Sequence, residues 1–244
     1  MTPYPYELSA ETGPNLGLIV LQTDERIEQD FRRLIPGDVG LFVSRVPSGQ
    51  DVSPETLAGM EAHIPTAAGL LPGALQFDAI GYGCTSGTAQ IGADKIATLV
   101  GQGAQTRAVS EPLSALVAAC AALGINRLAF LSPYVDTVSD RLRDALRGQS
   151  VQTPVFGTFA ESEEAKVVRI SPESIYQAAL DLAGKGDVDA IFLSCTNLNT
   201  LDIIAPLAAK TGLPVLSSNQ VLAWHLCRLA GTEPVQGPGR ITRP

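Results

Sequence analysis

The sequence is poor in the features that mark several common classes of protein. Aromatic residues make up 5% of its 244 residues, and it has two histidines and four cysteines. Because no run approaches ~18 apolar residues, we predict no transmembrane helix. The first residues, MTPYPYELSAETGPN, lack the basic start and apolar core of a secretion signal. We expect a loose N-terminal arm and a cytoplasmic protein with reduced cysteines.

Positive charge is also scarce. Lys and Arg total 17 against 25 Asp and Glu, which gives a formal net charge of −8. Without a basic stripe to neutralise phosphates, nucleic acid is not an expected partner. An acidic chain is not drawn to an anionic membrane surface either. The cysteines and histidines lack the spacing of metal ligands, so we predict no metal site.

Aliphatic residues are plentiful, and strand-like apolar runs alternate with helix-like stretches. The predicted strands are Leu16–Leu21, Val39–Arg45, Ala79–Tyr82, Arg127–Leu131, Val155–Gly157 and Ala190–Ser194. The predicted helices are Asp24–Leu34, Pro54–Leu71 with Ser53 as its cap, Ala89–Val100, Glu111–Leu123, Asp136–Leu146, Pro172–Ala183 and Leu201–Lys210. The segments Val215–Ser217 and Val221–Leu229 close the chain. This alternation predicts an α/β fold with parallel sheets and right-handed crossovers.

The chain contains an internal repeat. Residues 77–86 (FDAIGYGCTS) align without a gap to residues 188–197 (VDAIFLSCTN), at an offset of 111. The same offset places the first strand over Arg127–Leu131 and Thr23 over Tyr134. We infer two homologous α/β halves. The predicted lobes are residues 1–110, joined by the C-terminal segment 217–244, and residues 111–216.

The repeat places a Cys-Thr pair, Cys84 and Cys195, at the end of an equivalent strand in each half. Ligands of parallel α/β sheets bind beyond the carboxyl ends of the strands. We expect each cysteine to lie just before a helix, whose N-terminus attracts carboxylates and lowers a thiol's pKa. Two facing thiols could racemise a carbon acid by removing a proton from one face and returning one to the other. Alternatively, a thiolate could add to an activated C=C bond, allow rotation and leave.

Other cysteines and the histidines fit structural roles. A buried cysteine is usually a small apolar residue, and we assign Cys120 and Cys227 to the core because each lies in an apolar helical stretch. We predict that His63 lies near a helix end and that His225 packs on the last helix. A two-lobed small-molecule binding protein without chemistry is the alternative from a different class, although binding alone does not need a cysteine pair.

Four segments carry a resemblance to a known family, namely LGLIVLQTDERIE, GYGCTSGT, LSPYVDTV and LSCTNLNTLDII. They resemble the aspartate/glutamate racemase superfamily, and within it the branch of maleate cis-trans isomerase and arylmalonate decarboxylase, including ectoine-utilisation racemase-like proteins. The resemblance implies two flavodoxin-like lobes with parallel sheets, related by a pseudo-twofold axis, and a site between them. It also implies that the protein uses no cofactor, neither metal nor pyridoxal phosphate.

The resemblance implies roles for individual residues. Cys84 and Cys195 would be the catalytic pair. The groups that would bind the substrate carboxylate or line the site are Thr23, Thr85, Ser86, the Tyr134 hydroxyl, and the backbone N–H groups of Thr196 and Asn197.

Departures from the family's pattern bear on the substrate. Decarboxylases of this branch have glycine where Cys84 stands, which argues against a plain decarboxylase. Maleate isomerases have asparagine where this chain has Asp24, and a second asparagine near Glu164. An acid in place of an amide disfavours a dicarboxylate and favours a ligand with an amino group. Asp24 also suits a helix N-cap, and we predict that Glu164, in AESEEAK, lies in a solvated acidic loop.

Together these observations predict a cofactor-independent racemase or isomerase of a small, amino-acid-like carboxylate. Maleate cis-trans isomerisation and arylmalonate-type decarboxylation are the alternatives within the family. A homo-oligomer is expected, since dimers are the commonest closed assembly.

Overall fold

Two four-stranded parallel sheets form the centre of the protein, whose computed structural model describes residues 3–9 and 13–235. The strands of the first sheet are β1 (Asn15–Leu21), β2 (Gly40–Val46), β3 (Ala79–Gly83) and β4 (Val109–Ser110). Those of the second are β5 (Arg127–Tyr134), β6 (Gln152–Glu161), β7 (Ala190–Leu193) and β8 (Val215–Ser217). The orders β2-β1-β3-β4 and β6-β5-β7-β8 are the same topology twice. The predicted α/β class and its repeated halves are therefore confirmed.

Helices connect the strands, as parallel pairing requires. Those of the first half are α1 (Ile27–Leu34), α2 (Pro54–Gly59), a 3-10 turn (Met60–His63), α3 (Ile64–Gly69), α4 (Thr85–Ile91) and α5 (Ala93–Gly103). Those that follow are α6 (Pro112–Leu123), α7 (Asp136–Gly148), α8 (Glu164–Val167), α9 (Pro172–Ala183), α10 (Leu201–Thr211) and α11 (Ser218–Leu229). Every residue of β3 and of β7 is buried, because helices cover both faces of each sheet.

Several predicted helices of the first half have different bounds. The first begins at Ile27 rather than Asp24, whose carboxylate instead accepts the N–H groups of Arg26 and Ile27. The predicted helix Pro54–Leu71 is split into α2, the 3-10 turn and α3, and Pro65, which has no N–H to continue a helix, lies at the start of α3. Ser53 does cap α2, as predicted.

The helix predicted at Ala89–Val100 also differs. It begins earlier, at Thr85, and breaks at Gly92, whose φ of 95° suits glycine. In the second half, β6 runs from Gln152 to Glu161 and is much longer than predicted. The short elements β4 and α8 were not predicted, because two to four residues carry too little periodicity to detect.

The predicted offset holds between β3 and β7 but shifts at the first strands. Leu16 pairs with Ala79, whereas Leu128 rather than Arg127 pairs with Ala190. In addition, Cys195 does not directly precede a helix as predicted. Residues 196–198 form a turn and a bend, and α10 begins only at Leu201.

The last helix crosses to the first sheet. Helix α11 packs on β3, α1 and α6. The division into lobes at residues 110 and 216, with the C-terminal segment joined to the first lobe, stays a prediction. Of the predicted N-terminal arm, residues 3–9 are exposed and have no helix or strand, while residues 1–2 and 10–12, like residues 236–244, lie outside the described part. Within the described ranges, the helices are too short or too polar to cross a membrane.

Candidate active site at the facing strand ends

Cys84 lies where β3 ends and α4 begins. It is the N-cap of α4, and its Sγ accepts the backbone N–H of Gly87 at 3.1 Å. A Cβ on Gly87 would lie 2.9 Å from this sulfur and 2.9 Å from the Tyr82 hydroxyl. Glycine is therefore required for the helix to approach the thiol this closely.

Cys195 lies in the turn after β7. Its φ is 148°, a value that L residues rarely adopt. Its Sγ accepts the backbone N–H of Asn197 at 3.2 Å and lies 2.8 Å from the Tyr134 hydroxyl at the end of β5. The two thiols thus have similar surroundings, each with one backbone N–H donor, although one donor comes from a helix and the other from a turn.

Hydrogen bonds between the lobes join the two cysteine turns. The Thr196 hydroxyl donates to the carbonyl of Gly83, the residue before Cys84, at 3.3 Å. Ser218, the first residue of α11, accepts the N–H of Cys195 at 3.0 Å and the hydroxyl of Thr85 at 2.9 Å. Residues adjacent to one cysteine therefore bond to residues adjacent to the other, so the two strand ends face one another.

Both thiols are buried, and this reverses the predicted direction of their acidity. Cys84 and Cys195 are 2% and 1% exposed. Burial raises the pKa of Cys84 to about 12 and raises that of Cys195 well above its ordinary value. The N–H donors at Gly87 and Asn197 lower each pKa, but by less than burial raises it. The expected lowering of the thiol pKa by a helix N-terminus was therefore wrong.

Asp24 is held in the loop between β1 and α1. Its Oδ1 accepts the N–H of Arg26 at 2.7 Å and that of Ile27 at 2.8 Å. The N-cap of α1 is Arg26 rather than Asp24, so the predicted capping position was wrong, although Asp24 binds the backbone where the helix begins. Its Oδ2 is buried without a well-formed hydrogen bond. The Thr196 hydroxyl lies near enough to lower the pKa of Asp24, yet burial raises that pKa overall.

Arg45 fixes this loop from β2. Its guanidinium donates to the carbonyls of Leu21 at 2.9 Å, Gln22 at 3.2 Å and Asp24 at 3.0 Å. The carboxylate of Asp24 is therefore held in place by its own backbone, and its position does not depend on a ligand.

Glu164 is the largest departure from the sequence prediction. It is 5% exposed, not solvated, and its Oε2 accepts the Asn197 side-chain amide at 2.9 Å. Burial, and to a lesser extent the nearby charge of Asp24, raise its pKa to about 7, although the hydrogen bond from Asn197 lowers it. Glu164 in turn raises the pKa of both Cys84 and Cys195, which places it in the same electrostatic site.

The Asn197 side chain connects this acid to the other lobe. Its Oδ1 accepts the N–H of Glu25 at 3.0 Å, and its Nδ2 also lies 3.5 Å from the Thr23 carbonyl. A cavity of about 350 Å³ opens beside these groups and is lined by Thr23, Glu25, Gln50, Asp51, Glu163, Glu164 and Ala165. Four of these seven side chains are acidic, and none is basic.

The structure brings together most of the predicted site residues. Eight of them are buried around the two turns, namely Cys84, Cys195, Asp24, Thr85, Ser86, Tyr134, Thr196 and Asn197. Thr23 is half-buried and differs from its sequence equivalent Tyr134, because its hydroxyl bonds to Ser48 at 3.1 Å rather than to a thiol.

His63 is exposed at the end of the 3-10 turn. His225 bonds to the Ser110 hydroxyl at 2.7 Å and stacks on Trp224.

Sequence reasoning missed four residues of this site: Tyr82, Glu164, Ser218 and Asn219. The Asn219 amide donates to Asp30 and to the Thr196 carbonyl, both at 2.8 Å, and so supports the Cys195 turn. The polar run Ser217–Gln220, directly after a short apolar strand, was the available signal for Ser218 and Asn219. Within residues 3–9 and 13–235, no group of three or more His, Cys, Asp or Glu side chains is placed to hold a metal ion.

Comparisons with known proteins place this arrangement in context. The sequence model of one protein family, arylmalonate decarboxylase, matches residues 108–242, which is more than half of the chain. Arylmalonate decarboxylase of Bordetella bronchiseptica is 30% identical over 119 residues, which are 48% of this chain and 50% of that protein. Maleate isomerase of Nocardia farcinica is 26% identical over 242 residues, covering 93% of this chain and 95% of that protein.

Solved structures share the whole fold. A variant of the Nocardia farcinica maleate cis-trans isomerase with a covalently bound succinylcysteine intermediate superposes with a TM-score of 0.82 at 22% identity. The superposition covers 94% of this chain and 98% of that one. The two-lobed architecture is therefore common to both proteins.

Proposed function

Because the chain belongs to the arylmalonate decarboxylase family, we propose that it is a cofactor-independent isomerase or racemase of a small carboxylate, with Cys84 and Cys195 as the reacting pair. The observation that carries the proposal is the joining of the two cysteine turns, through Thr196 to Gly83 and through Ser218 to both. Two thiols that face one another from equivalent strand ends can act on opposite faces of one carbon.

A racemisation by these two cysteines is balanced in protons and electrons. One cysteine, as thiolate, takes the proton from the carbon next to the substrate carboxylate, and an S–H bond replaces the C–H bond. The electron pair left on carbon is delocalised into the carboxylate. The other thiol then gives its proton to the opposite face and becomes the thiolate. The pair ends with the same charge and proton number as it began, with its roles exchanged.

The substrate carboxylate has suitable donors nearby. The first-turn N–H groups of α4, at Thr85 and Ser86, cannot bond within the helix and lie next to Cys84. The Tyr134 hydroxyl, 2.8 Å from the Cys195 sulfur, can donate to an oxygen that develops charge. These groups support the carbanion that forms when the proton leaves.

Maleate cis-trans isomerisation is the second candidate, and the full-length similarity to a maleate isomerase favours it. Here a thiolate adds to one carbon of the C=C bond, and the electron pair moves onto the carbon next to the carboxylate. Rotation about the resulting single bond and loss of the thiolate restore the double bond in the other geometry. Retention of Cys84 and Cys195 serves this route as well.

Replacing each cysteine by alanine tests the proposal. We expect Cys84→Ala and Cys195→Ala each to lose at least a hundredfold of activity, since an acid or base group contributes about 10²–10⁴ in rate. Activity is read as exchange of the substrate's α-hydrogen in D2O for a panel of amino acids, and as conversion of maleate to fumarate, both by NMR.

The matched control is Cys120→Ala, which removes a buried thiol from the apolar helix α6. We expect it to keep full activity. Unchanged turnover in Cys84→Ala would refute the two-cysteine mechanism, and fumarate formation without α-hydrogen exchange would identify the isomerase route.

A further inference from the structure

We propose that Asp24 and Glu164 together bind the ammonium group of a zwitterionic α-amino acid, which makes an amino acid rather than a dicarboxylate the substrate of the cysteine pair. The inference rests on the proposed function and adds the substrate class to it. It is carried by the burial, the partners and the surroundings of these two carboxylates.

The two carboxylates come from different lobes and converge on one place. Each is 5% exposed, Asp24 in the loop after β1 and Glu164 at the start of α8. Asn197 links them, because its amide donates to Glu164 while its other contacts are to the loop that begins at Thr23. Each acid also raises the pKa of both cysteines, so both acids lie within electrostatic range of the thiols.

Their hydrogen bonding is incomplete. Asp24 Oδ1 is satisfied by two backbone N–H groups, but its Oδ2 is buried without a hydrogen bond of good geometry. The adjacent Thr196 hydroxyl has one hydrogen, for which the Asp24 carboxylate and the Gly83 carbonyl compete. A buried carboxylate oxygen without a full hydrogen bond is unfavourable, and a group rich in N–H donors would satisfy it. An ammonium group has three such hydrogens.

The charge around the site selects the sign of the ligand. The cavity beside Glu164 is lined by three further acids, Glu25, Asp51 and Glu163, and by no Lys or Arg. The cations that pair with two of them, Arg169 with Glu25 and Lys166 with Glu163, are exposed at the surface. Arg45 also lies near Asp24 and lowers its pKa, but its guanidinium is bonded to backbone carbonyls of the loop. The second carboxylate of a dicarboxylate would therefore meet like charges with no cation among the lining residues, whereas an ammonium group would be neutralised.

Binding of an ammonium group would also prepare the thiols for reaction. The negative charges of Asp24 and Glu164 are among the causes that raise the pKa of Cys84 and of Cys195. A positive charge between the two acids offsets this effect and favours a thiolate. Substrate binding and thiol activation would then be coupled, and a ligand without the amino group would leave the thiols protonated.

The test compares amino acids with matched acids that lack the amino group. Binding to the wild-type protein is measured by calorimetry at pH 8 for aspartate and succinate, glutamate and glutarate, alanine and propionate, and for maleate. We expect at least one amino acid to bind, and its partner without the amino group to bind at least tenfold more weakly. Glu164→Gln and Asp24→Asn keep the shape of each side chain, and each should reduce this preference at least tenfold.

The control is Glu173→Gln, which removes the same charge from the exposed face of α9 and should leave the preference unchanged. If either site variant fails to fold, the other variant and the wild-type comparison still decide. The proposal is overturned if no amino acid binds, if maleate or succinate binds as tightly as every amino acid, or if the preference survives in the folded site variants.

The outcome is separable from that of the proposed function. Cys84→Ala and Cys195→Ala should bind the same amino acid within about threefold of wild type yet fail to exchange its α-hydrogen. If Cys84→Ala binds amino acids selectively and still exchanges the α-hydrogen at the wild-type rate, the two-cysteine mechanism is refuted. The proposed ammonium site would still be supported by that result.

Discussion

Glu164 shows at the scale of one residue how burial determines the chemistry of this site. The pKa of this carboxylate, which lies near both thiols, is about 7, because the side chain is buried and Asp24 lies nearby. The same burial raises the pKa of Cys84 and of Cys195 and so favours the protonated thiols. Acidity here follows from tertiary packing, and the residue types alone indicate the opposite direction for the thiols.

Replacement of this buried acid should change how stability depends on pH. Glu164 has a folded pKa of about 7 against 4.5 for a free side chain, so the folded state holds its proton more tightly. The stabilisation that this bound proton gives to the folded state is fully present below pH 4.5. It is lost as pH rises through 7, and the free energy of unfolding falls by about 3 kcal/mol. Glu164→Gln has no proton to lose, so its stability relative to the wild type should increase as pH rises from 5 to 8.

Thermal melting of both proteins across this pH range measures the effect. Glu173→Gln, on the exposed face of α9, should follow the wild type at every pH. A constant difference in melting temperature between Glu164→Gln and the wild type would contradict a titration of this group in the folded protein.

At the scale of elements, the two cysteine sulfurs each receive a backbone N–H, but through different local structures. Cys84 caps α4 directly, and the close approach of Gly87 brings a helix N–H to its sulfur. Cys195 precedes a turn, adopts a φ of 148° and receives the N–H of Asn197 instead. The repeat in the sequence predicted the positions of both cysteines. It did not predict the different backbone that follows them, because the repeat ends there and the residues after each Cys-Thr pair are unlike.

Close packing of α3 against α5 explains one glycine of the first lobe. A Cβ at Gly103 would lie 2.1 Å from the Pro65 carbonyl oxygen, whereas one at Gly101 would meet nothing within 4 Å. We expect Gly103→Ala to lower the free energy of unfolding by about 1–3 kcal/mol through overpacking. Gly101→Ala, in the same helix, should raise it by about 0.5–1 kcal/mol. Urea denaturation of both variants tests this, and equal midpoints would contradict it.

At the scale of the whole molecule, the lobes are joined both at the site and at the surface. Exposed ion pairs connect Arg169 with Glu25 and Arg33 with Asp202, and such pairs contribute little to stability. The buried bonds of Ser218 to Cys195 and Thr85 are of a different kind, because they leave two donors without partners if the hydroxyl is removed.

Ser218→Ala should therefore loosen the contact between the lobes. We expect a loss of about 1–3 kcal/mol in stability and an alkylation by iodoacetamide that is several-fold faster at Cys84 and Cys195 than in wild type. Ser217→Ala is the control, since its hydroxyl caps α11 through Gln220 and does not bond to the other lobe. Peptide mapping by mass spectrometry gives the rate at each cysteine, and unchanged rates in Ser218→Ala would refute the connection.

The sequence by itself determined the α/β class, the two repeated halves and the equivalent positions of Cys84 and Cys195. These rest on local patterns, since apolar periodicity and an ungapped repeat are properties of short segments. The binding of Asp24 to the backbone just before α1 is local too, because the N–H groups it accepts are two and three residues away, although the helix begins later than predicted.

Only the tertiary structure decided the surroundings of the thiols. From the sequence, Glu164 is predicted to be a solvated loop residue beside other acids. In the structure, the packing of Asn197 and of the opposite lobe buries it. Ser218 lies in a polar run of ordinary composition, yet the crossing of α11 to the first sheet brings it between the two cysteine turns. Burial and contacts between distant segments depend on how the halves meet, and that geometry is not encoded in any local pattern of residues.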